Sequence, residues 1–312
     1  MSSLGTFCAL LTCMGTLYSA PHEDQVAVLS SLIAQYKRPS TVLEINTQIG
    51  EYLSVLPTFP GSVGVAWILP GSLYEGLEHK KCTVLAPPVI NCTMLETFGR
   101  CEHFDVVIVH NTASFIRDPL ERLLAALVRL GDVLFIEPDT QEFEELLSKS
   151  PSMKICVNGT DQHRPLYCYQ RSKRLLSKAR YTQKSSSKIH SYRISSSFLK
   201  KEFSKDGSQK PISWIPGINF VSFIMLYGIY PTDVQIRKQL KSLRATNEQH
   251  TDLVLGNLIL SGESLIPIDG DDPQHTADSS QCIQAALKVF QKGNTRLTDP
   301  KAFMESYYRL VR

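Results

Sequence analysis

The segment TVLEINTQIGEYL, Thr41 to Leu53, constrains the fold more than any other stretch of this 312-residue chain. A short apolar run ends in an acidic residue, a loop with a late glycine follows, and a helix begins. A strand that carries the chain to the carboxyl edge of a parallel sheet reads this way. The loop after it must turn tightly for backbone N–H groups to face a ligand. This is the pattern of a nucleotide-type cofactor site in an α/β fold. Two further buried-type strands stand downstream: FDVVIVHNTASF (Phe104 to Phe115), whose apolar run closes on polar residues, and VLFIEP (Val133 to Pro138).

The surrounding sequence alternates in the same sense. Residues 22–36 have Val26, Leu29, Leu32 and Ile33 on one side of an amphipathic helix. Strands are expected at about 41–45, 62–68, 82–85, 104–109 and 132–136. In LERLLAALVRLG (Leu120 to Gly131) leucines recur at helical spacing and Gly131 supplies the stop. MKICVNG and RPLYCYQ (Met153 to Gly159, Arg164 to Gln170) read as a closing antiparallel pair. The expected sheet has Thr41–Ile45 near its centre, with Phe104–Val109 and Val133–Ile136 further along the same half, all parallel.

Taken together, these segments resemble the class I S-adenosylmethionine-dependent methyltransferases. In that family the acid at the end of the first strand is followed by alternating glycines. Here Glu44 stands at the acidic position, Gly50 at the last glycine, and Asn46 and Gln48 at the two earlier ones. Asparagine tolerates a left-handed backbone better than most residues, so Asn46 preserves the turn in this reading. The resemblance implies a Rossmann-like sheet with S-adenosylmethionine over Glu44, Asn46, Gln48 and Gly50. Trp67 at the end of the second strand would stack on the adenine, or else simply pack. The family's ribose-binding acid has no counterpart, since Trp67-Ile68-Leu69-Pro70 is followed by no acid until Glu75. At the end of the fourth strand the resemblance gives Asn111 or His110 the task of orienting the acceptor, with capping of the next segment as the alternative for Asn111. Glu137 would line the same crevice.

The back third carries a second constellation. HTDLVLGN places His250, Asp252 and Asn257 at the spacing H-x-D-x-x-x-x-N, and Ile268-Asp269 follows a short hairpin. This resembles the catalytic loop and metal-binding aspartate of the protein-kinase-like fold, in its small-molecule phosphotransferase branch. The resemblance implies a second, smaller α+β domain, with Asp252 as the base and Asn257 and Asp269 holding Mg2+. WIPGINFVSFIMLYG resembles the hinge and the helix after it. Only two strands, around 192–203 and 210–214, are expected before that hinge, and no GxGxxG occurs. A kinase-like small lobe needs more.

The organisation expected is a leading segment 1–20, a methyltransferase-like domain 21–171, a basic serine-rich linker 172–189 and a kinase-like domain 190–312. Residues 1–20 are uncharged and apolar and end in small residues, which suits either a signal peptide or a leading helix. Export or membrane tethering follows if they act as a signal, a cytoplasmic location otherwise, and membrane contact would come only through them. A net charge of +3 gives no case for nucleic acid. The cysteines suit small buried apolar residues better than a disulfide framework, although their even number leaves bridges open. Three functions follow: a methyltransferase on an acceptor the sequence does not name, a non-catalytic binding scaffold built from two enzyme folds, or a phosphotransferase.

Overall fold

A computed structural model describes residues 23–36, 38–47, 52–68, 82–87, 90–110, 112–159, 164–171, 189–194, 197–202, 213–225, 228–229, 258–262 and 264–267. The front half alternates as expected. Helix α1 (Glu23–Ala34) leads into β1 (Thr41–Thr47), a 3-10 turn (Leu53–Thr58), β2 (Val63–Ile68) and β3 (Thr83–Leu85). Helix α2 (Cys92–Cys101), β4 (Phe104–Val109), a 3-10 turn (Ala113–Phe115), α3 (Leu120–Leu130) and β5 (Gly131–Ile136) follow. Then come α4 (Gln141–Lys149), β6 (Lys154–Val157) and β7 (Leu166–Gln170).

These strands form a mixed sheet in the order β3-β2-β1-β4-β5-β7-β6. The first five are mutually parallel, whereas β7 runs antiparallel to both β5 and β6. That order and sense are those of a Rossmann-like methyltransferase sheet, with β1 central as the sequence predicts. Period-two alternation sends Leu43, Ile45, Val65, Trp67, Val107 and Leu134 to one face, under α2, α3 and α4. Val42, Ala66, Val106, Ile108, Val133 and Phe135 go to the other, under α1 and the 3-10 turn. Helix α3 buries Leu123, Ala126, Leu127 and Leu130, the stripe visible in its sequence. Each buried leucine contributes about 2 kcal/mol.

Gly131 does not end α3 by a left-handed turn. It is already extended as the first residue of β5, and a Cβ there would stand 2.6 Å from Val107 Cγ2. Its smallness serves close strand packing. At the amino edge of the sheet Asp105 is fully buried. It takes the Arg38 guanidinium on both oxygens, at 2.6 and 3.2 Å, and accepts the Thr41 N–H at 2.9 Å. Cys156 and Cys168 form a disulfide across β6 and β7, where the pairing is irregular between Ile155 and Val157. This pair is the bridge that the even cysteine count left open. Cys92 fits the reading as a buried apolar residue.

The back third contributes β8 (Ile189–Ile194), β9 (Ser197–Glu202) and β10 (Ser213–Pro216), a three-stranded antiparallel sheet. The single strand expected over 192–203 is in fact the β8–β9 hairpin, with Ile194 opposite Ser197. Next come β11 (Ile218–Asn219), α5 (Phe220–Met225), β12 (Gly228–Ile229), β13 (Leu258–Ser261) and β14 (Ser264–Pro267). The hairpin expected before Asp269 is β13–β14. These pieces do not assemble a kinase-like domain among the described residues. Several dock on the front sheet instead. Ile218, Phe220, Phe223, Leu258 and Leu260 share one core with Trp67, Phe98 and Phe104. Strand β12 pairs antiparallel with β3 and adds an eighth strand to the sheet. Gly217 N–H donates to Thr41 Oγ1 at 2.8 Å, and the buried Glu102 accepts the Ser222 hydroxyl at 2.5 Å. Among the described residues no helix is long and apolar enough to cross a membrane. Residues 1–20 lie outside them, as do most of the linker and the helices expected near 232–243, 279–291 and 300–311.

Candidate functional site

Strand β1 ends in a bulge. Ile45 pairs with Trp67 and Thr47 with Ile68, so Asn46 drops out of the ladder, and it does so at φ 62. Asn46 is the left-handed residue that the sequence suggested for this turn. Its side-chain amide donates to Thr112 Oγ1 at 3.1 Å, and the Thr112 hydroxyl donates to the His110 carbonyl at 2.7 Å. The end of β1 is thereby tied to the segment after β4.

Alternation places three ionisable side chains on the α1 face of the sheet at its carboxyl edge. Glu44 follows Val42 in β1, His110 follows Val106 and Ile108 from β4, and Glu137 follows Val133 and Phe135 from β5. The ladder continues past the strand ends, with His110 N–H on the Ile45 carbonyl and Glu137 N–H on the Val109 carbonyl. The side chains therefore meet. Glu44 is fully buried; its Oε2 accepts the Leu53 N–H at 3.0 Å and its Oε1 lies 3.2 Å from His110 Nε2. His110 Nδ1 lies 3.3 Å from Glu137 Oε2. The Tyr52 ring stacks on the imidazole, centroids 5.0 Å apart and planes inclined by 22°. Its hydroxyl donates to Gln25 Oε1 on α1 at 2.5 Å.

Beyond the end of β5, Asp139 holds the turn that follows β4. Its carboxylate accepts the Ala113 N–H at 3.2 Å, the Ser114 N–H at 2.8 Å and the Ser114 hydroxyl. The turn after β4 is thus fixed to the segment after β5. Tyr52, Thr112 and Asp139 escaped the sequence reading. Tyr52 carries no motif signal, whereas Asp139 stands just beyond a strand that was recognised.

The predicted site residues fall into three groups. Glu44, His110 and Glu137 converge, and Asn46 shapes the turn beside them. Trp67 is fully buried with its edge toward Phe98, ring centroids 5.4 Å apart. It packs in the core on the opposite face of the sheet from Glu44, and no part of its ring is open to an adenine. Its indole N–H has no hydrogen-bond partner among the described residues. Gln48, Gly50, Asn111, Asp252, Asn257 and Asp269 lie outside the described residues. Among the described residues no cluster of three or more His, Cys, Asp or Glu side chains is placed to hold a metal.

No protein-family model and no curated protein matches the sequence. Among solved structures the chain is similar to WbdD, at 13% identity over 93% of this chain and 89% of that one, with a TM-score of 0.39. It is similar to the N-terminal domain of EvdMO1 with SAH bound, at 11% identity over 51% and 84%, TM-score 0.37. It is also similar to a precorrin-6y C5,15-methyltransferase from Geobacter metallireducens GS-15, at 15% identity over 50% and 91%, TM-score 0.36. The fold is read from strand order and sense, not from these likenesses.

Proposed function

We propose that this chain is a divergent S-adenosylmethionine-dependent methyltransferase-like protein whose cofactor lies over the carboxyl edge of β1. The observation that carries the reading is the left-handed turn at Asn46, in a sheet of this strand order. A left-handed residue at the carboxyl end of the central strand lies where a nucleotide-type cofactor needs a close approach to the backbone. The residues present fit the cofactor there. Asn46 holds the conformation otherwise reserved for glycine, and its side chain is drawn to Thr112. Glu44 fastens the far end of the loop through the Leu53 N–H. When bound, the cofactor would supply an electrophilic methyl group. The chain's own residues would hold the loop (Glu44, Asn46), shape the edge (His110, Tyr52) and present a half-buried carboxylate to the acceptor side (Glu137).

One observation favours a binding scaffold without catalysis. Glu44, Asn46 and Trp67 are all fully buried, and Glu44 is engaged within the protein at both oxygens. Titration calorimetry of the full chain with S-adenosylmethionine and its demethylated product separates the readings. The methyltransferase reading expects binding of both, abolished by Gly50→Val, which would put a branched side chain where close backbone approach is needed. No heat from either ligand would leave the scaffold reading in its place. Phosphoryl transfer would rest on Asp252, Asn257 and Asp269. Magnesium-dependent ATP turnover lost in Asp252→Asn would establish it.

A further inference from the structure

Strand β6 ends the sheet on the side away from β12, so one of its flanks carries no ladder among the described residues. Its first two residues, Lys154 and Ile155, are exposed, and the Ile155 side chain is left 53% open. A bare edge of this kind needs something to hold it. Register supplies the means. Lys154 pairs with Cys168 and Ile155 with Tyr167, but the next partner along β7, Leu166, takes Val157. Cys156 is thus the extra residue of a bulge. Two consecutive residues, Cys156 and Val157, therefore pack on the core of the α1 face, where Cys168 also lies. In an unbroken ladder Cys156 would stand diagonal to Cys168, about 7–8 Å away and too far for a bond. With the bulge the Cα–Cα distance is 5.9 Å, and the disulfide forms.

The two sulfurs differ in access. Strand β7 is paired on both flanks, to β5 and to β6, whereas β6 is paired on one. Both cysteines are half-buried. An incoming thiolate must approach in line with the S–S bond, opposite the sulfur that leaves, and the open edge lies behind Cys156. The cysteines stand only 12 residues apart, so the bond restrains the unfolded chain less than a long-range bridge would. Strand β7 has its own hold through its pairing with β5 and the buried Leu166 and Tyr167.

We propose that Cys156–Cys168 is a site of reversible thiol–disulfide exchange with a small thiol of the glutathione class, a latch that fixes the open edge of the sheet when oxidised and releases β6 when reduced. The entering thiolate attacks Cys156 Sγ and forms a new S–S bond. The old bond breaks, and its electron pair leaves on Cys168 Sγ, which takes up a proton. A second thiolate then attacks the small molecule's own sulfur and expels Cys156 as a thiolate, which is protonated in turn. Two small thiols are oxidised to their disulfide, and the bridge is reduced to two protein thiols. This inference is independent of the methyltransferase-like reading.

The test takes the full chain, purified without reductant, through buffers of reduced and oxidised glutathione. Exposed thiols are then alkylated and mapped by mass spectrometry. Cys92, a fully buried thiol, is the internal control for unfolding. Cys156 and Cys168 should be blocked at first and become labelled together as reduced glutathione rises, while Cys92 stays unlabelled. Amide exchange should then quicken over Lys154–Val157 and stay unchanged in β1 and β5. In Cys168→Ser, oxidised glutathione should cap Cys156 severalfold faster than it caps Cys168 in Cys156→Ser. Both cysteines labelled at the outset, or a bridge that yields only when Cys92 yields, would overturn the proposal. So would exchange that quickens in β1 and β5 as much as in β6. Equal capping rates would refute entry from the edge. Should the serine variants not fold, labelling of the parent protein decides.

Discussion

Asn46 stands where a related loop would carry glycine, and its backbone needs no glycine to reach φ 62. A β-branched residue there pays about 1–2 kcal/mol for the left-handed conformation and loses the Thr112 bond, worth about 1 kcal/mol more. Asn46→Val should therefore lower the urea-denaturation stability by about 2–3 kcal/mol, and Asn46→Gly by only about 1 kcal/mol. The turn was legible in the sequence because asparagine is the usual stand-in for glycine in that region. The meeting of Glu44, His110 and Glu137 was legible only in parts. Each closes a recognised strand, but their convergence depends on register, which the apolar runs leave open. Cys92 offers a second residue-scale prediction. Burial, and then the neighbouring Asp118, push its thiol up to about 11. A thiol reagent at pH 8 should react with it slowly in the folded protein and at an ordinary rate in denaturant. Its folded value is raised, so its contribution to stability is full below the ordinary thiol range and is lost as pH rises toward 11. Cys92→Ala should flatten that alkaline slope.

At the scale of single elements, strands were easier to see than helices. Five parallel strands and the reversed pair are unbroken apolar or alternating runs, and α3 has a full leucine stripe. Helices α2 and α4 were not singled out, although their starts are written in the chain. Asn91 accepts the Met94 N–H at 2.8 Å, and Thr140 accepts the Phe143 N–H at 3.2 Å, each as an N-cap. Short helices with two or three buried residues give little periodicity to read. The packing of β4 against β5 supplies a sharp test. Gly131→Ala must push a methyl against Val107 and the Phe104 carbonyl, and should cost about 1–3 kcal/mol by thermal or chemical melting. The Arg38–Asp105 pair at the other edge should behave differently. Arg38→Ala takes the guanidinium away from a buried carboxylate and should cost about 3 kcal/mol, while the carboxyl-edge cluster keeps its geometry.

For the molecule as a whole, the back third is where sequence and structure diverge most. Its motifs suggested a separate unit, yet Ile218, Phe220, Phe223, Leu258 and Leu260 are buried against the front sheet. Motif spacing reports ancestry and chemistry; it carries no information on which surface an apolar residue will cover. Five such side chains are worth on the order of 10 kcal/mol as an upper estimate, comparable to the whole stability of a domain. A chain ending at residue 189 should therefore show no cooperative melting transition, while the full chain melts as one body through these contacts. Glu102→Ala and Ser222→Ala should be non-additive, with a coupling of about 1 kcal/mol or more in a double-mutant cycle. Strand β12 has a consequence beyond stability. The parallel sheet would otherwise finish at β3 with a ladder of unfilled amides and carbonyls, an open template for any passing extended chain. Gly228 and Ile229 cover that template with a strip from the back third of the same chain. A protein that supplies its own edge partner from so far along the chain is vulnerable while that partner is still being synthesised, and the interval before residue 229 emerges is when self-association should be most acute.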